Sequence, residues 1–201
     1  MAETQRLTAA EAAFVLNELP KAVRKALDEG PIEATVIRRR GVSVRMLERV
    51  DVIYLYAASL LKEELTPTSR QELYHAMKRK LSRHVGFGRI RIDIADAVDV
   101  VDQRLARLAE LKGRVDFSDD GERMIKGTDI EVHRIAALLD GGMTAEEISK
   151  DYPGLSRDQV EAAREFAAAY PKPGRPYPKT TFKRLLRTSR LHELDDVLAD
   201  E

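Results

Sequence analysis

The sequence predicts a mainly α-helical fold with a few short β-hairpins. Apolar residues recur at helical spacing in most segments, which is typical of amphipathic helices that bury one face. Aromatic residues make up only 5% of the chain and tryptophan is absent, so the core must consist mostly of Leu, Val, Ile and Ala. Thr8, Thr144 and Ser156 are each followed three positions later by Glu or Gln, which is the capping-box signature of a helix start.

The composition bounds the class of protein. A chain of 201 residues suits one or two small domains. It has no cysteine, which excludes disulfides and thiolate zinc sites and fits a reducing cytoplasm. The first residues do not resemble a signal peptide, and no apolar run approaches membrane-spanning length. We therefore expect a cytoplasmic protein without membrane partners.

Charge is balanced overall but segregated along the chain. Basic and acidic residues number 34 each, so the formal net charge is +0. Between Arg70 and Arg91, however, Glu72 is the single acid among many basic residues, and Pro171 to Arg190 contains no acid at all. Segregation of this kind indicates separate surfaces for separate partners.

The segment from Leu7 to Gly30 predicts two helices joined by a short turn. Thr8 forms a capping box with Glu11, and Pro20 suits the first position of the second helix. The second helix separates its residues onto an apolar face and a basic face: Val23, Ala26 and Leu27 against Lys21, Arg24 and Lys25. This pattern fits a helix-turn-helix with a basic exposed face, and it fits an ordinary helical hairpin equally well.

The segment from Ala34 to Leu47 favours the helix-turn-helix over the ordinary helical hairpin. Two β-branched runs flank Arg40-Gly41, which predicts a β-hairpin, and a hairpin directly after a helix-turn-helix is a wing. Arginines at its tip would contact phosphates. The predicted DNA-binding residues are Lys21, Arg24, Lys25, Arg38, Arg39 and Arg40. The segment also loosely resembles the winged-helix modules of MerR-like regulators and excisionases.

The middle of the chain continues with helices. Glu48 to Glu64 predicts a broadly apolar helix that either closes the winged domain or packs against another copy. Thr66 caps the next helix, which starts at Pro67 and runs to about His84 with the first basic cluster on it. That cluster fits an accessory phosphate contact or a solvated face equally well. Gly86 to Gly88 is expected to break this helix.

Short elements lead into the C-terminal part. Arg89 to Ile94 alternates polar and apolar residues, which predicts a single short strand. Asp96 to Lys112 has helical spacing, Val115 to Phe117 predicts a strand, and Ser118 to Lys126 a loop. We place the domain boundary in the region from Gly113 to Asp120.

The stretch from Lys126 to Tyr170 predicts a second helix pair around a tight turn. Both helices start with a capping box: Thr144 with Glu147, and Ser156 with Gln159. Pro153 disfavours helix at the residue before it, so the first helix ends near Asp151. Helix, short turn and helix again follow the helix-turn-helix plan.

This stretch also resembles the domain-of-unknown-function family 433. The matching positions are Gly127, Thr128, Ile130, Val132, Gly142, Glu146, Glu147, Ile148, Tyr152, Pro153, Leu155, Ser156 and Ala162, whereas the usual Arg before Gly-Thr is Lys126 here. Their order and spacing are specific and span about a quarter of the chain. The resemblance implies an antitoxin. Longer members with an N-terminal DNA-binding module resemble VapB-type antitoxins paired with PIN-domain ribonuclease toxins.

A proline-rich arm and a helical tail follow Tyr170. Pro171 to Thr180 holds four prolines, which predicts an extended linker. Thr180 to Ala199 regains helical spacing and is expected to fold on a partner or to dock on its own core. The PIN nuclease that the resemblance implies has an acidic metal pocket, which an arginine of this tail suits. The predicted toxin-binding residues are Arg175, Phe182, Arg184, Leu185, Leu186, Arg187, Arg190 and Leu191.

No catalytic, cofactor or metal site is predicted. The four histidines, His75, His84, His133 and His192, lack metal-ligand spacing. We expect His133 to be partly buried and structural. No pairing of a nucleophile with a base is recognisable, so we expect a protein that is not an enzyme.

The sequence thus predicts a winged helix-turn-helix domain over residues 1–113, a helix-turn-helix-like 433-family domain over 114–170, and an arm with a toxin-binding tail over 171–201. We expect a homodimer that represses its own operon at operator DNA and neutralises a PIN-domain toxin. Two alternatives stay open: a stand-alone winged-helix transcription regulator whose tail contacts its dimer mate, and an interaction adaptor without DNA binding.

Overall fold

The computed structural model of the protein describes residues 6–39, 41–172 and 177–180, most of them in helices. The strands in this part of the chain form three small antiparallel sheets, so the mainly α prediction is confirmed at this level. The chain divides into two compact units, Met1–Glu110 and Leu111–Glu201, which are called unit 1 and unit 2 below. Within the described residues, no helix has the length and apolarity that crossing a membrane requires.

Unit 1 begins with a short strand and two helices: β1 Leu7–Thr8, α1 Ala9–Leu16 and α2 Pro20–Glu29. Thr8 Oγ1 accepts from the Glu11 amide at 3.3 Å, and the Glu11 carboxylate accepts from the Thr8 amide at 2.7 Å. Asn17 ends α1 in the left-handed region at φ 56°. The predicted helix pair, its capping box and its turn are therefore confirmed.

A β-hairpin follows the helix pair: β2 Thr35–Arg39 and β3 Val42–Leu47. β3 lies in the centre of a three-stranded sheet, between β1 and β2. Gly41 lies in the turn at φ +81°, a conformation that L side chains rarely adopt. The predicted hairpin is confirmed, and Met46 and Leu47 are buried at its base.

The second half of unit 1 contains three helices and another hairpin: α3 Arg49–Leu60, α4 Pro67–Arg79, β4 His84–Phe87, β5 Ile90–Asp93 and α5 Ala95–Gly113. The prediction that α4 continues to His84 is wrong. His84–Phe87 pairs antiparallel with Ile90–Asp93, so cross-strand hydrogen bonds replace helical ones there. Gly86 and Phe87, where the helix was expected to break, lie in β4. Gly88 lies in the turn between β4 and β5 at φ +55°.

The apolar helix α3 closes the core of its own unit. Val52, Ile53, Tyr54 and Ala57 are all buried in it. This placement favours the first of the two predicted roles, closure of the domain. Leu60, at the end of the helix, is 58% exposed and leaves a small apolar surface.

A buried polar cluster holds α4 against the base of the first hairpin. The Tyr74 hydroxyl donates to Asp51 Oδ1 at 3.0 Å and accepts from the Glu33 amide at 3.1 Å. Lys78 Nζ donates to Glu48 Oε2 at 2.9 Å. Burial raises the pKa of Tyr74 to about 12, so its hydroxyl stays a donor at neutral pH. Because Glu33 precedes β2 and Glu48 follows β3, α4 adjoins both strands where they enter the core.

Unit 2 contains a hairpin and three helices: β6 Val115–Phe117, β7 Arg123–Ile125, α6 Val132–Asp140, α7 Ala145–Asp151 and α8 Arg157–Ala169. The predicted loop from Ser118 to Lys126 is wrong in part, because β7 pairs antiparallel with β6. Both predicted capping boxes are formed, at Thr144 and at Ser156. α7 ends at Asp151, two residues before Pro153, as predicted.

The end of α6 and the position of α8 build the core of unit 2. Met143 N donates to Leu138 O at 3.1 Å, and Gly142, at φ +88°, reverses the chain. α8 then packs on α6. His133 on α6 is buried, as predicted, and its Nε2 donates to the Tyr170 carbonyl at 2.7 Å, just after α8 ends.

Candidate nucleic-acid interface

The exposed face of α2 carries three of the predicted DNA-binding residues: Lys21, Arg24 and Lys25. Val23 and Leu27 of this helix are buried on its opposite face, so the helical period alone turns these cations outward. Arg24 Nε donates to the Pro20 carbonyl at 3.2 Å, and Lys25 Nζ lies 3.9 Å from Glu29 Oε1. The cationic heads therefore face solvent with little neutralisation.

An ion pair joins α2 to the hairpin. Arg45 Nη1 on β3 donates to Asp28 Oδ1 on α2 at 2.5 Å. The two side chains are 50% and 59% exposed, and exposed pairs contribute only about 0–1 kcal/mol, so this pair aligns the elements more than it stabilises them. Asp28 follows Arg24 and Lys25 by about one helical turn, which brings Arg45 to the edge of the basic face.

The strand register places Arg38 on the same side of the hairpin as Arg45. β2 and β3 pair Val36 with Arg45 and Arg38 with Ser43, and residues two apart along a strand share a face. Arg38 is exposed. Arg38 thus lies on the face of the hairpin whose Arg45 pairs with Asp28, a residue of the helix that carries Lys21, Arg24 and Lys25.

Two predicted residues lie outside what the structure describes: Arg40 and the side chain of Arg39. Arg45 was absent from the sequence-based prediction. Its signal is the alternation of the strand, since Ser43 and Arg45 are polar and separated by Val44. The resulting surface has a net positive charge and suits contact with phosphates. It is called the α2 surface below and consists of Lys21, Arg24, Lys25, Arg38 and Arg45 with Asp28.

Unit 2 holds a second polar cluster, around Lys172 in the arm. Lys172 Nζ donates to Glu122 Oε2 at 2.6 Å, to Glu131 Oε1 at 2.7 Å and to the Tyr177 hydroxyl at 2.8 Å. The Tyr177 hydroxyl also bonds to Glu131. Glu131 is the N-cap residue of α6, and its side chain is 16% exposed. These four residues are called the arm anchor below.

The arm anchor has a defined charge state at neutral pH. Burial opposes ionisation of Glu131, but the hydrogen bonds from Lys172 and Tyr177 outweigh it and lower the Glu131 pKa below its ordinary value. Hydrogen bonds to Glu122 and Glu131 raise the pKa of Lys172. Burial, together with the Glu131 contact, raises the pKa of Tyr177. An ammonium and a neutral phenol therefore contact ionised Glu131.

The arm also packs on unit 2 through its backbone. A Cβ atom on Gly141, at the end of α6, would lie 1.8 Å from the Lys179 carbonyl oxygen, so only glycine admits this approach. The described arm residues are neither helix nor strand, as predicted. The predicted toxin-binding residues all lie outside the described part of the chain: Arg175, Phe182, Arg184, Leu185, Leu186, Arg187, Arg190 and Leu191.

The described residues contain no group of three or more His, Cys, Asp or Glu side chains that could hold a metal ion.

Comparison with known proteins identifies one segment of the chain. Residues 120–167 match the model of the family described as "Protein of unknown function (DUF433)". This match confirms the predicted family resemblance for that segment, which contains α6, α7 and most of α8. No curated protein matches the sequence. The chain is also similar to the crystal structure of Rv2018 from Mycobacterium tuberculosis, with 15% identity, 79% of this chain and 96% of that chain covered, and a TM-score of 0.30. A score this low supports no conclusion about fold or function.

Proposed function

We propose that the protein is a DNA-binding antitoxin of a type II toxin–antitoxin system, which represses its own operon and neutralises a PIN-domain ribonuclease toxin. The observation that carries the DNA-binding part is the α2 surface. It combines three outward cations on one helix with Arg38 on the adjoining hairpin, and Arg45–Asp28 ties the two elements together. An operon regulator acts where its operator lies, which places the protein in the cytoplasm.

In this proposal, β1, α1, α2 and the β2–β3 hairpin form a winged helix-turn-helix. α2 enters the major groove, where its side chains reach base edges, and the hairpin contacts the sugar–phosphate backbone. Arg24 lies at the centre of the exposed face and reads sequence, whereas Arg38 to Arg40 position the protein on the duplex. Base contacts specify the operator, and phosphate contacts supply most of the salt-dependent affinity.

The proposed protein is a homodimer, because operator palindromes mirror the two-fold symmetry of the proteins that bind them. The predicted surface on the helix from Val50 to Leu61 is reduced to residues such as Leu60, since most of its apolar side chains are buried in unit 1. The helices of unit 2 are the second candidate. Light scattering at micromolar concentration should give the mass of a dimer, and a monomer both with and without DNA would contradict this part of the proposal.

The toxin-binding part of the proposal rests on the family resemblance of residues 120–167 and on the composition of the tail. Longer members of that family resemble antitoxins of PIN-domain nucleases. The tail combines arginines, which pair bidentately with carboxylates, with apolar residues at the spacing that a helix in a groove requires. A divalent metal pocket lined by carboxylates is the kind of site that such an arginine can occupy.

One observation favours a second candidate, the stand-alone transcription regulator. Lys172 and Tyr177 bind Glu122 and Glu131 of their own unit, so the start of the arm is engaged without any partner. A regulator whose arm belongs to its own fold would have this contact and no toxin. The two candidates share the α2 surface and differ only in the tail.

The decisive experiment has two parts. Fluorescence anisotropy with DNA from upstream of the protein's own gene should show salt-dependent binding that unrelated DNA of equal length does not match. Co-expression with the product of the adjacent gene should then show whether growth is rescued. Specific DNA binding without a toxin among the neighbouring gene products supports the stand-alone regulator. Absence of DNA binding contradicts both the antitoxin and the regulator.

A further inference from the structure

Unit 1 contains the same succession of elements twice. Helices α1 and α2 are followed by the β2–β3 hairpin, and helices α3 and α4 are followed by the β4–β5 hairpin. The second helix of each set starts with proline, at Pro20 and Pro67. Each hairpin turns at a glycine with positive φ, at Gly41 and Gly88. The first set forms the α2 surface, so the exposed side of the second set can be compared with it.

The second set also exposes cations that form no ion pair with the described residues. Apart from Lys78, the exposed Lys and Arg residues of α4, of the residue after it and of the β4–β5 hairpin are Arg79, Lys80, Arg89 and Arg91. Among the described residues, no carboxylate oxygen lies within 4.0 Å of these four, since the ion pairs of this region go to other cations. Lys78 pairs with Glu48 at 2.9 Å and Arg83 with Asp99 at 2.6 Å. Lys78 and Arg83 thus form ion pairs within the fold, whereas Arg79, Lys80, Arg89 and Arg91 face solvent.

One of these cations, Arg79, borders a cavity that also contains the carboxylate of Glu72. A cavity of about 620 Å³ lies between α4 and the end of β4, lined by Glu72, His75, Lys78, Arg79, Phe87 and Gly88. Arg91 pairs across the strands with Gly86, which has no side chain, so its guanidinium has no cross-strand neighbour on that face. Val85 and Phe87, on the other face of β4, are buried. The strand alternation therefore turns Arg91 away from the core.

α4 packs against the base of the β2–β3 hairpin, the hairpin that carries Arg38 and Arg45. The Tyr74 hydroxyl on α4 accepts from the Glu33 amide, two residues before β2, and Lys78 on α4 binds Glu48, the residue after β3. One side of α4 is thus fixed at the base of the first hairpin, and its Arg79 end borders the second. Both sets of exposed cations thus belong to unit 1, and α4 contacts the hairpin of each set.

We infer that Arg79, Lys80, Arg89 and Arg91 form a second phosphate-binding surface, which extends the contact of unit 1 along the sugar–phosphate backbone of the same DNA. This inference rests on the proposed DNA-binding function. The partner is a nucleic acid rather than an acidic protein because the patch has unpaired cations but few exposed apolar anchors. Ile90, 46% exposed, is one such anchor, whereas protein interfaces are built around buried aromatic and apolar residues. Phosphate contact needs only charge and access.

The test compares two triple variants of the full-length protein with equal changes in net charge. The first is Arg79→Gln, Arg89→Gln and Arg91→Gln. The matched control is Lys62→Gln, Lys150→Gln and Arg164→Gln, which removes exposed cations elsewhere. Circular dichroism and thermal unfolding first establish that both variants fold. Binding to operator DNA is then measured by anisotropy across salt concentrations, together with a nuclease footprint.

The first variant should lower the slope of log affinity against log salt by about 0.9 for each lost phosphate contact, up to about 2.7 in total. Its affinity at 0.15 M salt should fall by a factor of about 10 or more, its footprint should shorten, and its preference among operator sequences should not change. The control should keep the slope and the footprint of the wild type. Replacement of the same three residues by lysine should restore both, because lysine keeps the charge.

Three outcomes overturn the inference in distinguishable ways. If the wild type binds the operator and the two glutamine variants behave alike, the second surface does not contact DNA, while the proposed function stands. If the first variant keeps its DNA slope but loses binding of an acidic polypeptide such as poly-glutamate, the surface serves a protein. If the wild type does not bind DNA at any salt concentration, the proposed function itself has failed, and the inference fails with it.

Discussion

The helix pairs α1–α2 and α7–α8 follow a similar local plan but differ in how closely acids contact their exposed cations. In unit 1, α2 exposes Lys21, Arg24 and Lys25, and the nearest carboxylate contact is 3.9 Å long. In unit 2, Arg157 on α8 is engaged by two acids at close range, whereas the contact of Arg164 is about as long as that of Lys25. Arg157 Nη1 lies 2.9 Å from Glu146 and its Nε 3.1 Å from Glu161, and Arg164 lies 3.8 Å from Asp140.

A polyanion can therefore approach α2 without displacing a close ion pair, whereas at Arg157 of α8 it must displace two. A phosphate approaching α8 must compete with Glu146, Glu161 and Asp140, which repel it. A phosphate approaching α2 meets cations whose nearby carboxylates lie at one edge of the face, at Asp28 and Glu29. A helix-turn-helix outline is therefore a weak indicator of DNA binding, and the pairing state of its cations is a better one. We expect unit 2 to act through protein contacts.

The largest expected effect concerns the tail. A chain that ends at Tyr170 should bind operator DNA nearly as well as the full protein but should no longer neutralise the toxin. Leu185→Asp should do nearly the same with the arm anchor intact, because a charge replaces an apolar anchor. Growth of cells that co-express each variant with the adjacent toxin is the measurement.

Leu185→Met is the control for the tail experiment, since it keeps an apolar side chain of similar size, and cells expressing it should grow. Full rescue by the truncated chain would show that the tail is not the inhibitory element. The stand-alone regulator would then be the better proposal.

The second prediction tests whether the cations of the α2 surface bind DNA, as the comparison of α1–α2 with α7–α8 implies. Replacement of Arg38, Arg39 and Arg40 by Ala should weaken DNA binding on all sequences and reduce the salt slope by about 0.9 per lost contact. Arg24→Ala should instead relax the preference for one base pair, by about 1–3 kcal/mol. Gel shifts with operator and mutated operator distinguish the two effects.

The matched control for this experiment lies on α8. Arg157→Ala with Arg164→Ala should leave DNA affinity and salt slope unchanged, since Arg157 already has two carboxylate partners and α8 lies outside the proposed interface. An equal loss of affinity in this variant would refute the distinction between paired and unpaired cations.

A third prediction concerns the stability of unit 1. Tyr74→Phe removes the donor to buried Asp51 and the acceptor of the Glu33 amide, and should cost about 1–3 kcal/mol. Hydrogen exchange of the full chain should show the lost protection in unit 1. Tyr152→Phe in unit 2 is the control, because its hydroxyl has no hydrogen bond among the described residues. Equal loss of protection in both units would show that they unfold together.

The smallest expected effect concerns the arm anchor. Lys172→Met removes three hydrogen bonds from a partly exposed cluster, and should weaken docking of the arm by about 1 kcal/mol. The NMR signals of the Tyr177 ring should shift toward free-tyrosine values. Lys150→Met, on exposed α7, should leave them unchanged. An unshifted ring in the Lys172 variant would contradict an anchoring role.

The anchor should also respond to acid. The folded-state pKa of Glu131 is lowered, so its contribution is complete above the ordinary glutamate pKa and is lost as pH falls through the lowered value. The Tyr177 ring signals should therefore report undocking only as the pH falls below the ordinary glutamate pKa. Glu131→Gln should remove most of this acid dependence, and an unchanged acid midpoint in that variant would place the titrating group elsewhere.

The sequence by itself determined the elements that depend on near neighbours. Thr8, Thr144 and Ser156 start helices because each meets a Glu or Gln three residues later, and that chemistry is complete within one turn. The hairpin around Gly41 was predictable for the same reason, since a short turn between β-branched runs sets its own pairing. The resemblance to the 433 family was likewise a matter of local spacing.

Only the tertiary structure decided which distant residues meet. β4 was missed because the local residues after Arg79 also suit a helix, and pairing with β5 overrides that preference. Arg45 and Asp28 are 17 residues apart, and Lys172 and Glu122 are 50 apart, so the local sequence does not predict either contact. Whether a cation is free for DNA or committed to the fold depends on such contacts. A cation is available to bind a partner only if the tertiary structure leaves it without an ion pair inside the fold.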